Sequence, residues 1–280
     1  MQPARAFPPR RAGVLFYRMM QPGSAGLRQT ATRHLGVREN TMNPTLVSVV
    51  IPCYNEQENV PILFERIRTA FLAMPEYGCE CLFVNDGSTD GTRAAMDALA
   101  REHPEMRPVH LVRNTGQSAA VVAGLRQARG EYILTLDGDL QNDPQDFARF
   151  LELLRDYDCV CGYRANRHDS WVRKLSSRVA NAAREAVLHD GIRDSGCGAK
   201  GFRRACIPHI PAFNGVHRFM AVFMRKAGMT IAECPVTHHP RQYGLSKYGI
   251  GNRLWRGLYD LIGVSWLRKR YVAPEVENAE

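Results

Sequence analysis

The chain's 280 residues, at roughly 100 to 200 per domain, allow one large or two small domains with a core that needs no disulfide or metal to hold it. Hydrophobic residues at 45% and charged residues at 23% exclude collagen, coiled coil and wholesale disorder, and no run approaches the about 18 apolar residues of a membrane-spanning helix. The net charge of +9 is unevenly spread, with 10 basic against 18 acidic residues in 42–163 and 20 against 6 in 164–270, so the second half is suited to an anionic partner.

Residues 1–41 are Arg-rich, hold one acid, and are punctuated by Pro3, Pro8, Pro9 and Pro22 without an apolar period. They are expected to be a disordered basic extension, either the product of an upstream start or an organellar leader, with Met42 directly before the first strand. A β-branched apolar run at 46–52 reads as a buried strand and is followed by a helical period over 59–73. Strand 80–85, helix 92–103, strand 109–112, helix 117–129, strand 132–136, helix 144–155 and strand 159–162 continue the series. Such alternation means βαβ units, hence an α/β fold with a mostly parallel sheet flanked by helices, in which ligands bind beyond the carboxyl ends of the strands. After Tyr163 the pattern loosens into helix 171–188, a short strand near 199–202, helix 218–227, strand 230–236 and helix 251–267. The expected organisation is the extension 1–41, one domain over 42–250 with an elaborated second half, an amphipathic helix at 251–270 and an acidic tail at 271–280. The eight cysteines are diluted, and the paired ones, Cys79/Cys81 and Cys159/Cys161, sit in apolar runs, which indicates reduced, mostly buried thiols in a cytosolic compartment.

Polar residues gather at the ends of successive predicted strands: Tyr54-Asn55-Glu56 after the first, Asp86-Gly87-Ser88 after the second, Asn114-Thr115-Gly116 after the third and Asp137-Gly138-Asp139 after the fourth. Any one of them reads equally well as an Asx turn or a helix cap. Four, each at the end of its own strand, read as a site. On an extended segment residues two apart point the same way, so Asp137, Asp139 and Gln141 are expected to present three oxygens to one side, a hard-ligand set for Mg²⁺ or Mn²⁺. Two carboxylates and an amide leave the shell incomplete, which suits a metal shared with substrate phosphates and points to a nucleoside diphosphate compound.

The segments VSVVIPCYNEQENV, VNDGSTDGT, RNTGQSAA and LDGDLQNDP resemble the inverting family 2 glycosyltransferases of GT-A (Rossmann-like) fold, over about residues 46–270. Four later features are similar to the polyprenyl-phosphate sugar transferases of the dolichol-phosphate mannose synthase type. They are DGDLQ, the triplet GYR ending at Arg164, the helix start from Arg173 to Arg178, and Arg241 followed by Gly244, Ser246, Lys247 and Tyr248. The resemblance implies transfer of a sugar from a nucleotide-sugar to dolichyl or undecaprenyl phosphate with Mg²⁺ or Mn²⁺. It implies that Pro52, Tyr54, Glu56, Val84 and Asp86, with Gly116 and Asp137, hold the nucleotide-sugar, and that Asp139 and Gln141, with Asp137 beside them, ligate the metal. Arg164, Arg173, Ser177 and Lys247 would meet the acceptor phosphate, with Arg241 and Lys247 on a loop that closes over the diphosphate. Asp139, Arg164, Arg173, Asp194 and Arg241 then form the catalytic set.

Chemistry separates two acceptors. A sugar hydroxyl needs a carboxylate base to take its proton. A phosphate monoester is already anionic at neutral pH and needs cations to position it, which the basic second half supplies. The runner-up reading is therefore transfer to a hydroxyl of a saccharide with Asp194 as base, although Asp194 reads equally as a turn cap or a contact to donor hydroxyls. The last helix interleaves Trp255, Leu258, Tyr259, Ile262 and Trp266 with Arg253, Arg256, Arg268, Lys269 and Arg270, a composition suited to an anionic bilayer surface. Peripheral attachment at the cytoplasmic face of a membrane is expected, and an integral-membrane partner is compatible with it. No RNA-binding, zinc-finger or helix-turn-helix signature accompanies the basic half, so no nucleic-acid partner is expected.

Overall fold

The computed structural model describes residues 43–165, 181–182, 184–240 and 250–272, and over 250–258 the backbone alone. Arg173, Ser177, Arg241, Lys247, the extension 1–41 and all but the start of the tail at 271–280 lie outside the described residues.

Seven strands form one sheet in the order β3-β2-β1-β4-β6-β5-β7. The strands β1 (Thr45–Cys53), β2 (Tyr77–Asn85), β3 (Met106–His110), β4 (Tyr132–Thr135), β5 (Cys159–Arg164) and β7 (Ile231–Val236) share one direction. Between β4 and β5, β6 (Lys200–Arg203) runs against both neighbours. The period-2 alternation of β1 sorts the core into two layers. Val47, Val49 and Ile51 pack with α1 (Asn59–Leu72), α2 (Thr92–Glu102) and α4 (Phe147–Leu153), while Val50 faces α3 (Gln117–Gln127) and α5 (Val216–Lys226). Phe64, Phe83 and Phe150 are fully buried on the first side, Phe202 and Phe223 on the second. The last helix, α6 (Ile250–Arg270), sends Val264 into the second layer, with Leu261 and Leu267 packed against it.

The elements differ from the sequence expectation where local pattern competes with pairing. β3 lies at Met106–His110 rather than 109–112, because its register against β2 runs from Cys81↔Met106 to Asn85↔His110. Val112 falls beyond the last partner and is fully exposed. The helix expected at 144–155 opens as a 3₁₀ turn, Pro144–Asp146, in which the Asp143 carboxylate accepts from the Gln145 amide at 3.0 Å. Proline just inside an Asp cap favours that tight start.

Glu80, in the middle of β2, is buried. Its carboxylate accepts from Ser48 Oγ on β1, from the Arg129 amide at 2.6 Å and from the Arg107 guanidinium on β3. Burial by itself would raise its pKa, but the Ser48 and Arg129 hydrogen bonds and the Arg107 charge outweigh it and hold the carboxyl below its usual 4.5. A lowered folded-state pKa adds stability that is present above 4.5 and disappears as the pH falls through the folded value. Glu80→Gln is therefore expected to melt below the parent at pH 7, with the gap narrowing as the pH falls below about 4.5. A gap that stays constant over that range contradicts the role.

Candidate active site

At the carboxyl edge of the sheet the loops after β1 and β2 are tied together. Asn55, in the left-handed region at φ 54°, donates its amide to Ser88 Oγ at 3.0 Å and accepts from the Thr89 amide at 2.9 Å. That turn leaves Pro52 and Tyr54 partly exposed, and sets the Glu56 carbonyl to open α1 by accepting from the Asn59 and Val60 amides at 3.0 Å each. The Glu56 carboxylate is buried and takes the Asn59 side-chain amide at 2.5 Å. Beyond β2, the Asp86 carboxylate accepts from the Thr115 and Gly116 amides at 2.8 Å each. Gly116 stands at φ 93°, a conformation that glycine adopts without a Cβ clash, and this turns both amides toward one carboxylate as α3 begins. Glu56 thus opens its own helix through its carbonyl, and Asp86 fixes the loop that leads into α3. Val84 is fully buried in the layer under α3, so it packs beneath the loop and shows no side chain at the surface.

The segment after β4 is not extended, which corrects the expected row of ligands. Leu140 lies at φ 61°, and Asp139 Oδ1 accepts from the Gln141 amide at 3.2 Å, a turn that breaks the two-residue alternation. The Gln141 side-chain amide turns to the His239 carbonyl at 3.5 Å. The chain leaving β7 forms the facing wall: Asn142 bridges to His238, the His239 amide donates to the Gln141 carbonyl at 2.8 Å, and His239 Nε2 pairs with Asp143 at 3.1 Å. Among the described residues no three His, Cys, Asp or Glu side chains converge as a metal cage. Asp139 is buried, and its carboxylate is an oxygen donor of the hard kind that suits a divalent ion.

Asp137 sits in a nest that the motifs did not announce. Gln117 Nε2 donates to its Oδ1 at 2.8 Å, and Gly198 approaches so closely that a Cβ there would lie 2.3 Å from the carboxylate carbon. Lys200, the first residue of β6, lines the small space below together with Thr135 and His217. Desolvation pushes the Asp137 carboxyl up to about 6, helped by the Asp139 charge and opposed by Lys200, Arg164 and Gln117. Burial first, then the Arg218 and Lys200 charges, push His217 down to about 3, so its imidazole is neutral. Sequence reasoning missed Gln117, Gly198, Lys200 and His217. Gln117 carried a signal as part of the RNTGQSAA segment, and Lys200 as a charge at the start of a short predicted strand.

Arg164, the last residue of β5, grips Asp194 with both arms of its fork. Nε donates to Oδ2 at 2.7 Å and Nη2 to Oδ1 at 2.9 Å, and the Arg164 backbone amide reaches Oδ2 at 3.3 Å. Two residues expected to act separately are thus one bidentate pair, each largely buried. Beside it Arg193 lies over the Tyr163 ring, 4.7 Å from its centre, and pairs with Glu233 at 3.1 Å.

Comparison with known proteins bears on the family and the fold. A model of "Glycosyl transferase family 2" matches residues 48–210. A dodecaprenyl-phosphate galacturonate synthase of Rhizobium johnstonii is 38% identical over 236 residues, covering 81% of this chain and 69% of that one. An undecaprenyl-phosphate 4-deoxy-4-formamido-L-arabinose transferase of Aeromonas hydrophila is 36% identical over 225 residues, covering 80% and 68%. Among solved structures, glucosyl-3-phosphoglycerate synthase from Mycobacterium tuberculosis, in complex with Mn²⁺, UDP and phosphoglyceric acid, superposes with a TM-score of 0.60 at 18% identity over 82% of this chain and 80% of that one. That likeness is one of fold.

Proposed function

Since this chain belongs to glycosyl transferase family 2 and carries a GT-A fold, we propose that it transfers a sugar, with inversion, from a nucleotide-sugar to the phosphate of a polyprenyl phosphate. The observation that carries the choice of acceptor is the Arg164–Asp194 pair. Both oxygens of Asp194 are engaged by one guanidinium, which leaves this carboxylate poorly placed to take a proton from a hydroxyl. A phosphate oxygen needs no such base. Arg164 would meet the acceptor phosphate from beside this pair, together with Arg173, Ser177 and Lys247. Pro52, Tyr54, Glu56, Asp86 and Gly116 border the nucleotide, with Asp137 beneath it. Asp139 and Gln141, with Asp137 beside them, would hold Mg²⁺ or Mn²⁺, which when bound offsets the charge of the departing diphosphate. Arg241, outside the described residues, would add a cation toward the diphosphate.

The same reading puts the protein peripherally on the cytoplasmic face of a membrane. No helix among the described residues is long and apolar enough to cross one. On α6, Tyr259, Ile262 and Trp266 are exposed on one face and the last turn holds Arg268, Lys269 and Arg270, with Arg270 stacked on Trp266.

The test is a donor screen: purified protein with Mn²⁺ or Mg²⁺, each candidate nucleotide-sugar, and either undecaprenyl phosphate or the free polyprenol, with nucleotide release as readout. Release is expected only with the phosphorylated lipid. Efficient transfer to the free alcohol, lost in Asp194→Asn, overturns the reading in favour of a hydroxyl acceptor.

A further inference from the structure

Lys200 is an anomaly of the sheet. It opens the reversed strand β6, pairs with Thr135 on β4 and Cys161 on β5, and is buried. An ammonium in that position is costly unless it is paired and hydrogen-bonded. Among the described residues its Nζ donates to the Cys197 carbonyl alone, and no carboxylate there forms a direct ion pair with it.

The missing counter-charge lies across the small cavity. Asp137 is the single carboxylate among the residues lining it, with Lys200, His217, Gln117 and Thr135 around it. Gln117 occupies Asp137 Oδ1, and Oδ2 takes no hydrogen bond from the described residues. Ser118 Oγ accepts from the Gly215 amide at 2.8 Å and forms a second hydrogen bond with His217 Nδ1 at 2.8 Å. The space offers about 10 Å³ to the centre of a water molecule, room for one. A water there would have Lys200, Asp137 and His217 as its polar neighbours, enough partners for a buried water.

We propose that Lys200 is a positioning residue for the donor site: through one buried water shared with His217, its ammonium neutralises and aims the Asp137 carboxylate beneath the nucleotide-sugar. This rests on the reading of Asp137 as part of the nucleotide-sugar site. The reversal of β6 is what makes it work, because only an antiparallel strand brings its amino end to the edge where the parallel strands end.

The experiment is a double-mutant cycle of Lys200→Met and Asp137→Asn. It reads melting temperature in EDTA, and the dissociation constant for whichever of UDP, GDP and dTDP binds the parent protein most tightly with Mn²⁺. Each single change is expected to lower the melting temperature, and the pair to lower it by less than the sum, because each alone leaves a buried charge unmatched. Lys200→Met should weaken the nucleotide about tenfold in the parent, and less than about twofold once Asp137→Asn is present. Additive melting losses, or a Lys200→Met protein that binds nucleotide as the parent does, overturn the proposal and leave Lys200 a packing residue. If Asp137→Asn leaves nucleotide affinity untouched, or the parent binds none of the three, the donor-site reading itself has failed. Should Lys200→Met fail to fold, recovery of folding in the double variant supports the charge pairing, and failure in both backgrounds overturns it.

Discussion

Replacing Asp139 by alanine is expected to abolish sugar transfer, by a hundredfold or about 2.7 kcal/mol at the least, while the protein keeps its fold. The side chain is buried in the turn after β4 and receives the Gln141 amide at 3.2 Å, a hydrogen bond whose loss costs about 1 kcal/mol. Against a domain stability of about 5–15 kcal/mol that is survivable. The chemical loss is larger, because Asp139 is the central carboxylate of the set that would hold the divalent ion, and breaking the glycosidic bond leaves charge on a diphosphate that must be met. Nucleotide release with saturating Mn²⁺ and a melting curve, measured together, decide the matter. An Asp139→Ala protein that retains more than about a tenth of the rate, an effect of only about 1.4 kcal/mol, removes Asp139 from the metal site.

Gly198→Ala is expected to be nearly as damaging, for a steric reason. A Cβ at this position would stand 2.3 Å from the Asp137 carboxylate carbon and from its Oδ2, and 2.5 Å from Oδ1. Atoms do not approach that closely, so the carboxylate or the start of β6 must move. Gln117 holds the carboxylate on one side and Thr135 Oγ1 holds the Gly198 carbonyl at 2.7 Å, so neither yields freely. Overpacking of this kind costs about 1–3 kcal/mol of stability. Displacing Asp137 should lower transfer on the order of a hundredfold, because misplacement by about 1 Å near the reacting groups has that effect. Gly263→Ala is the control, since its Cβ would meet nothing within 4 Å. Near-parental transfer by Gly198→Ala, or equal damage from both changes, would remove Asp137 from the site.

The sequence by itself determined the local order of this protein and the side on which its chemistry lies. Apolar alternation in 46–52 and the 3.6-residue period over 59–73 are short-range properties, and β1 and α1 appear where they put them. The acidic motifs followed each strand because a parallel sheet collects those loops on one edge, so their residues could be named before any strand was placed. Partner choice belonged to the tertiary structure. Periodicity marks 199–202 as a strand but not its direction, and its insertion against β4 and β5 is what lays Gly198 and Lys200 under Asp137. Nor does spacing reveal that Leu140 turns left-handed, that Asp86 spends both oxygens on the start of α3, or that Arg164 and Asp194 grip one another. Each of these is a contact between segments far apart in the chain, whose energy depends on which surfaces meet once both faces of the sheet are covered. A local pattern carries no record of that meeting, and so the groups beneath the site were decided only by the folded chain.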